Sequence, residues 1–426
     1  TATSAAPPRP PPLRNNHHHH PRGSIFTCRQ GVKIQMPSTD VSARLRHDVE
    51  HLASLDRRTT SPGERRSADW IAARLRDIGA VEVTSCRFRS QRSWAPATLA
   101  HVAAAMAAAA LAGVVGRLLS GAVAASYELD VSGRSHWLRR LLPAKAGVSV
   151  TGRIALSGDP SSGDAKSDKT LVLVAHHDAA HNGIVWHRRT VALNRMLSER
   201  TGETMPTHLP ALMAMAANIL PMRSIRVSAQ FFLGVVALAA IQSMRSYTTP
   251  GASDNATGVA AALEVADRLR SRHLPDMEVV LVFPGGEEVG NTGMRAWAHR
   301  YAKQFDPART LVVGLDSLGS GGHLVVARRE GLSGRMDPHD VQFASRVATS
   351  AGITLKTVSF PNVCDTTIAR NKGLRAISLL SYESGWIRNL HLSTDTIENV
   401  RWNTVRDAVN LTERLALAWA DRCPDE

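Results

Sequence analysis

The sequence predicts an α/β protein built on a mixed, largely parallel central sheet with helices on both faces, carrying hydrophobic helical insertions. Three observations carry that reading. Short, uniformly apolar runs recur at Thr170 to Ala175, Val279 to Phe283 and Thr310 to Leu315. Amphipathic stretches such as Val259 to Arg270 lie between them. Runs of this length without polar alternation read as strands buried on both faces, and alternation with helices reads as a parallel core. Each run also ends in acid or imidazole: His176-His177-Asp178 after the first, Glu287-Glu288 after the second, Asp316 after the third. In open α/β sheets the binding crevice lies beyond the carboxyl ends of the strands, so these groups are expected along one edge.

Glu287-Glu288, set off by the turn Pro284-Gly285-Gly286, is the most informative of the three. Paired carboxylates are common on exposed helices, but at the end of a buried strand they need a cation or a shared proton. A metal-assisted hydrolase needs such a pair, one oxygen as a ligand and one carboxylate to take a proton from water. Two loops add candidates: Asp254 within Pro250 to Gly258, just before the amphipathic helix, and His391 within Leu390 to Thr396.

In order, these residues form His-x-Asp, Gly-Ala-Ser-Asp-Asn-x-x-Gly, Glu-Glu-x-Gly, Asp and His-x-x-x-Asp-Thr. The set resembles the M28 family of zinc-dependent aminopeptidases across roughly residues 40 to 420. Leu55 to Arg58, Ser61 to Glu64 and Trp70 to Leu75 resemble the family's first helices. The resemblance implies the family's mixed eight-stranded sheet and two zinc ions. His176 and Asp316 would bind one ion and Glu288 and His391 the other, with Asp254 bridging. Glu287 would be the general base and acid, and Asp178 would orient His176, as partners of metal-bound imidazoles do. The bridging aspartate would precede a cis peptide, here Asp254–Asn255. Imidazole and carboxylate suit Zn²⁺ independently of the family.

Other residues near these motifs carry weaker expectations. His177, His181 and His187 read as polar loop residues at the site mouth. Asp395 is expected to fix the loop around His391, and Asp365, after Cys364, matches a position near the substrate pocket loosely. Tyr382 and Trp386 either line the pocket or pack.

Composition agrees with an enzyme. The 426 residues accommodate one large domain with extras. Cys28, Cys86, Cys364 and Cys423 are scattered, without a C-x-x-C pair, so neither a disulfide framework nor a cysteine zinc site is expected. Lys and Arg number 51 against 37 Asp and Glu, a net charge of +14, spread rather than clustered. Anionic lipid is therefore a better partner than nucleic acid, for which no motif is present. Residues 1–39 form a separate low-complexity segment with a proline run, Pro7 to Pro12, and a tetrahistidine, His17 to His20, able to bind metal adventitiously. It has no apolar run of the secretory type. The chain starts with Thr1 rather than Met, so whether this is the native start is not legible.

From residue 40 to 426 the peptidase-like domain is interrupted by insertions at about 94–147 and 184–249. The first carries Ala97 to Gly116, which as one helix would span about 30 Å, and a short return limb. The second carries Leu209 to Met222, broken by Pro210 and Pro221, and Val227 to Met244. Both sides of each insertion belong to one domain, so any membrane crossing must be even in number. Membrane attachment through a helical bundle is the expectation, and a soluble alanine-rich subdomain is the alternative. Arg87, Arg89, Arg92 and Arg245 favour a cytoplasmic catalytic side; Arg117, Arg223 and Arg226, at the far ends, weaken that orientation.

The expected function is hydrolysis of peptide bonds, removing N-terminal residues from a peptide substrate. A glutaminyl-cyclase-like acyl transfer at a single zinc is the first alternative, and a catalytically inactive membrane-attached binding domain the second. Side-chain preference and oligomeric state are not legible.

Overall fold

The computed structural model describes residues 42–422 apart from 112, 157–167, 273 and 275–276. The expectations for residues 1–39, Cys28 and Cys423 lie outside the described residues. Nine strands form one sheet: β1 (Val81–Ser90), β2 (Lys145–Ala155), β3 (Lys169–Val174), β4 (Met277–Phe283), β5 (Thr310–Leu315), β6 (His323–Glu330), β7 (Gly334–Arg335), β8 (Leu355–Phe360) and β9 (Arg375–Tyr382). The order is β1-β2-β4-β3-β5-β9-β6-β7, with β8 on β6.

The three apolar runs are β3, β4 and β5, adjacent in the sheet and parallel. Successive strand residues point to opposite faces, yet nearly every residue of these strands is buried, so both faces are covered. The core packs Ile71 and Leu75 of helix Pro62–Asp77, Val259 and Leu263 of Thr257–Arg270, and Leu411 and Leu415 of Trp402–Asp421 onto these strands. Parallel pairing extends from β5 to β9 and joins β6 to β8, while β1/β2, β2/β4, β6/β9 and β6/β7 are antiparallel. The sheet is therefore mixed, with parallel pairing concentrated in its centre, and has one strand more than the eight of the family resemblance.

Two of the segments compared with the family's first helices need adjustment. Helices run Ala43–Ala53 and Pro62–Asp77, and Leu55 to Arg58 lies in the loop between them. Ser61 caps the second helix by accepting from Glu64 N at 3.1 Å.

The first insertion also departs from expectation. A single helix over Ala97 to Gly116 does not form: helix Ala95–Ala110 ends in an extended Leu111, and Gly113, at φ 73°, starts a new helix, Gly113–Val131. A positive φ suits glycine and breaks helical continuity there. The return limb, 19 residues, is thus longer than expected, and the insertion ends before β2 begins at Lys145. The second insertion holds Ala192–Thr201, Leu209–Ala217 and Arg223–Arg245. Val102, Ala105, Ala124, Met215, Ala229 and Leu233 join helices of both insertions in a core of their own, separate from that of the sheet. Arg223–Arg245 is the one helix among the described residues long and apolar enough to cross a membrane.

Candidate functional site

Because β3, β4, β5 and β9 run parallel, their carboxyl ends open on one edge. His176 and Asp178 follow β3, Glu287 and Glu288 follow β4, and Asp316 follows β5. His391 lies in the loop after β9, at φ 53°, and Asp254 lies in the turn before helix Thr257–Arg270. Gly251, at φ 64°, opens that turn, where a Cβ would come within 2.5 Å of Asp254 O. The Asp254–Asn255 peptide is cis. Asn255 ties the turn to the end of β5, donating to Leu315 O at 2.9 Å and accepting from Ser317 N at 3.2 Å.

The side chains converge. His176 Nε2 lies 3.3 Å from Asp254 Oδ1 and 3.8 Å from Asp316 Oδ1. On the other side, His391 Nε2 lies 3.1 Å from Asp254 Oδ2 and 3.0 Å from Glu288 Oε2. Asp254 therefore turns one oxygen to each histidine. Ligand atoms of His176, Asp254 and Glu288 fall within 4.8 Å of one another, an arrangement that could hold a metal ion. Glu288 Oε1 is buried and receives no hydrogen bond among the described residues. A buried carboxylate oxygen without a donor calls for a cation.

Around these atoms a frame of hydrogen bonds sets orientation. Asp178 Oδ1 lies 3.6 Å from His176 Nδ1. The hydrogen-bond partner of His176 Nδ1 is the backbone Asp178 O at 3.3 Å, while Asp178 Oδ1 accepts from Glu287 N at 3.1 Å and its other oxygen from Thr59 Oγ1 at 2.7 Å. Asp395 accepts from Ser253 N at 2.8 Å and Asp254 N at 3.0 Å, so it holds the Asp254 turn more directly than the His391 loop. Asn291 Nδ2 donates to Glu287 Oε1 at 2.8 Å and to Asp365 Oδ1 at 3.3 Å.

The histidines of the β3 loop stay out of the cluster. His177 is buried with Nδ1 at 2.6 Å from Ser67 Oγ and Nε2 at 2.9 Å from Val148 O, so both ring nitrogens are occupied. His181 Nδ1 meets Ser246 O at 3.2 Å, and His187 Nδ1 accepts from Arg189 N at 3.3 Å. Tyr382 and Trp386 pack with Trp186 and Leu390 in a second apolar cluster.

Three contacts have no sequence motif behind them. Trp186 sets its ring edge-on to His391, with centroids 4.2 Å apart and planes at 73°. Asn291 joins Glu287 to Asp365. Arg139, in the first insertion, pairs with buried Asp130 at 2.8 Å and donates to Val289 O, next to Glu288. The only local signal is the Glu287 to Asn291 spacing of four, which brings a side chain back over the turn.

Charge is badly balanced without a cation. Burial, and then Glu288, Asp365 and Asp316, push Glu287 well above the carboxylate range, with His176 opposing. Burial likewise lifts Glu288, Asp365 and Asp395 each to about 7. Burial alone would keep His176 and His391 neutral, but the carboxylates around them outweigh it and raise both well above an ordinary imidazole. Asp254 is the exception among the acids: burial would raise it, and the two histidines hold it well below its usual value. A cluster with more carboxyl groups than it can ionise is relieved by bound cations.

A model of peptidase family M28 matches residues 236–416. No curated protein matches the chain. Among solved structures, the fold resembles the LapA aminopeptidase of Legionella pneumophila at 12% identity and TM-score 0.51, covering 90% of this chain and 72% of that one. A zinc aminopeptidase from Bacillus subtilis matches at 14% identity and TM-score 0.51, covering 88% and 94%. A Bacteroides thetaiotaomicron glutaminyl cyclase bound to N-acetylhistamine matches at 13% identity and TM-score 0.53, covering 89% and 98%.

Proposed function

We propose that the chain is a member of peptidase family M28, whose model matches residues 236–416, and that it removes N-terminal residues from peptides at a two-zinc site. Metal-dependent hydrolysis of peptide bonds follows from that membership; the position of cleavage and the number of ions go beyond it. The observation that carries it is Asp254, whose Oδ1 faces His176 and whose Oδ2 faces His391. One carboxylate turned to two separate histidines suits a bridge between two ions better than a ligand to one. His176 and Asp316 would hold one zinc, Glu288 and His391 the other. The donors fit the metal: imidazole and carboxylate only, and an oxygen, Glu288 Oε1, left without a hydrogen bond. Zinc ions bound there polarise a carbonyl and lower the pKa of a water.

The chain's own residues supply the proton path and the geometry. Glu287 Oε2 is the base: it takes a proton from the attacking water and returns it to the leaving amine. The bond from Asn291 to Oε1 fixes which oxygen stays available. Asp178 holds the imidazole of His176 and the backbone of Glu287 at once, so base and ligand keep one spacing. With Glu287 and Glu288 both raised, the protonated glutamates would be poor bases; cations beside them favour the ionised forms.

The test pairs metal analysis of purified protein with a panel of aminoacyl amides and short peptides. Two equivalents of zinc and release of free amino acids are expected. One equivalent, or cleavage inside N-blocked peptides only, overturns the reading. Since a glutaminyl cyclase shares the fold, an N-terminal glutaminyl peptide belongs in the panel. Ring closure with loss of ammonia, in place of free glutamine, would favour the cyclase reading.

A further inference from the structure

The bundle formed by the two insertions has its polarity reversed. Its interior is largely alanine, with Ala105, Ala124 and Ala229 among the buried contacts, whereas Leu118, Phe231 and Leu238 are 70%, 77% and 68% exposed. Polar side chains bond between helices at partly buried positions. His101 Nε2 meets Ser126 Oγ at 3.0 Å, and Gln230 Nε2 donates to Asn218 Oδ1 at 2.7 Å. A bundle folded for water buries its large apolar groups. Small residues and polar cross-links between helices, with bulky apolar groups outside, are the pattern of packing in lipid.

Position and charge narrow the partner. On helix Arg223–Arg245, the exposed Val227, Phe231, Val235 and Leu238 recur at helical spacing and make one stripe. The helix is about 35 Å long, comparable to a bilayer core, and the stripe itself covers about 17 Å of it, close to the acyl depth of one leaflet. No Asp or Glu occurs from Val83 to Tyr127 or from Thr204 to Ser253, where Arg117, Arg223, Arg226 and Arg245 do. Arg226 caps Ala109 O at 2.7 Å, which ties the tips of the two hairpins together. The face is apolar and its fixed charge is of one sign. A second copy of the same face would meet it with like charge, whereas anionic headgroups complement it.

We propose that this bundle docks the protein into a bilayer carrying anionic headgroups, with its apolar stripe in the acyl region and its arginines at headgroup level. The full-length protein should float with vesicles of phosphatidylglycerol and phosphatidylcholine, and less with phosphatidylcholine alone. Leu118→Glu, Phe231→Glu and Leu238→Glu together should abolish flotation while leaving the circular-dichroism melting curve in place, because all three side chains are exposed. Arg223→Gln with Arg245→Gln should weaken partition onto the anionic vesicles by about fivefold per charge. Failure of the full-length protein to float, equal partition onto both vesicle types, or undiminished flotation of the triple glutamate variant overturns the proposal. So does a soluble dimer that the triple variant dissolves without any vesicle binding, which would make the partner a second copy. None of these readouts depends on peptide turnover, so the peptidase proposal stands or falls separately.

Discussion

At the scale of single residues, Glu287 and Glu288 are neighbours in sequence that face different tasks. Glu288 lies 3.0 Å from His391 Nε2, while Glu287 is held by Asn291 and tied through it to Asp365. Glu287→Gln should keep metal content unchanged and lower kcat by about 10²- to 10⁴-fold, the usual contribution of a proton-transfer group. Glu288→Gln should lower metal content as well as kcat. Metal analysis beside steady-state kinetics distinguishes the two, and a folded Glu287→Gln protein with normal turnover would sink the mechanism. The motif residues His176, Asp254, Glu288, Asp316 and His391 were all legible as candidates, because strand ends and turn residues mark them. Trp186, Asn291 and Arg139 were not: each reaches the site from a loop or insertion whose path no periodicity encodes. Asp395 was legible as a positioning group, but the backbone it holds is that of Ser253 and Asp254.

Among the elements, strands buried on both faces announced themselves and the others did not. β3, β4 and β5 are unbroken apolar runs, whereas β1 carries Arg87 and Arg89 and is mostly exposed, as edge strands are, so no apolar run marks it in the sequence. The break between helices at Leu111 to Gly113 was hidden for the opposite reason, since alanine and leucine run through it without a polar mark. Helix Pro62–Asp77 offers a test of element stability. Its buried Glu64 accepts from Thr60 N at 3.0 Å. Burial first, and then Asp178, push it from 4.5 to about 9. An acid whose folded pKa lies above its unfolded value favours folding fully below the unfolded value, and that contribution is lost as pH climbs toward the folded one. The stability difference between Glu64→Gln and the parent should therefore grow in favour of the variant from about pH 5 to 9. Thermal melts across that range check it, and a constant difference would show that Glu64 does not titrate with folding.

Across the whole molecule, the insertions are less separable from the peptidase than their sequence suggests. The first supplies the Asp130–Arg139 pair that grips Val289 O, and the second supplies Trp186 against His391. Arg139→Met leaves Asp130 buried without its partner, at a cost of about 3–5 kcal/mol, and frees the turn that carries both glutamates. Urea denaturation should register the first effect and a lower kcat the second. Pairing it with Asp130→Leu should recover most of the stability, since no charge is then stranded, but not the turnover. Recovery of both would mean that the pair only packs. The sequence presents these segments as hydrophobic interruptions of a recognisable domain, and its hydropathy carries no sign that Arg139 and Trp186 turn back to the site.

The strand order has a consequence for synthesis. β3 sits between β4 and β5, yet both partners follow it by roughly a hundred residues or more. At ribosomal rates of about 5–20 residues per second, β3 waits roughly 5–20 s before β4 leaves the exit tunnel. During that interval the ribosome delivers the second insertion, so both helical hairpins are complete before the central sheet has its middle. The apolar bundle can assemble first, with its own local contacts, and the long closure that joins β3 to β4 then spans a segment already folded back on itself. A segment that delays the meeting of the two halves of the sheet thus shortens the distance they must close when they meet.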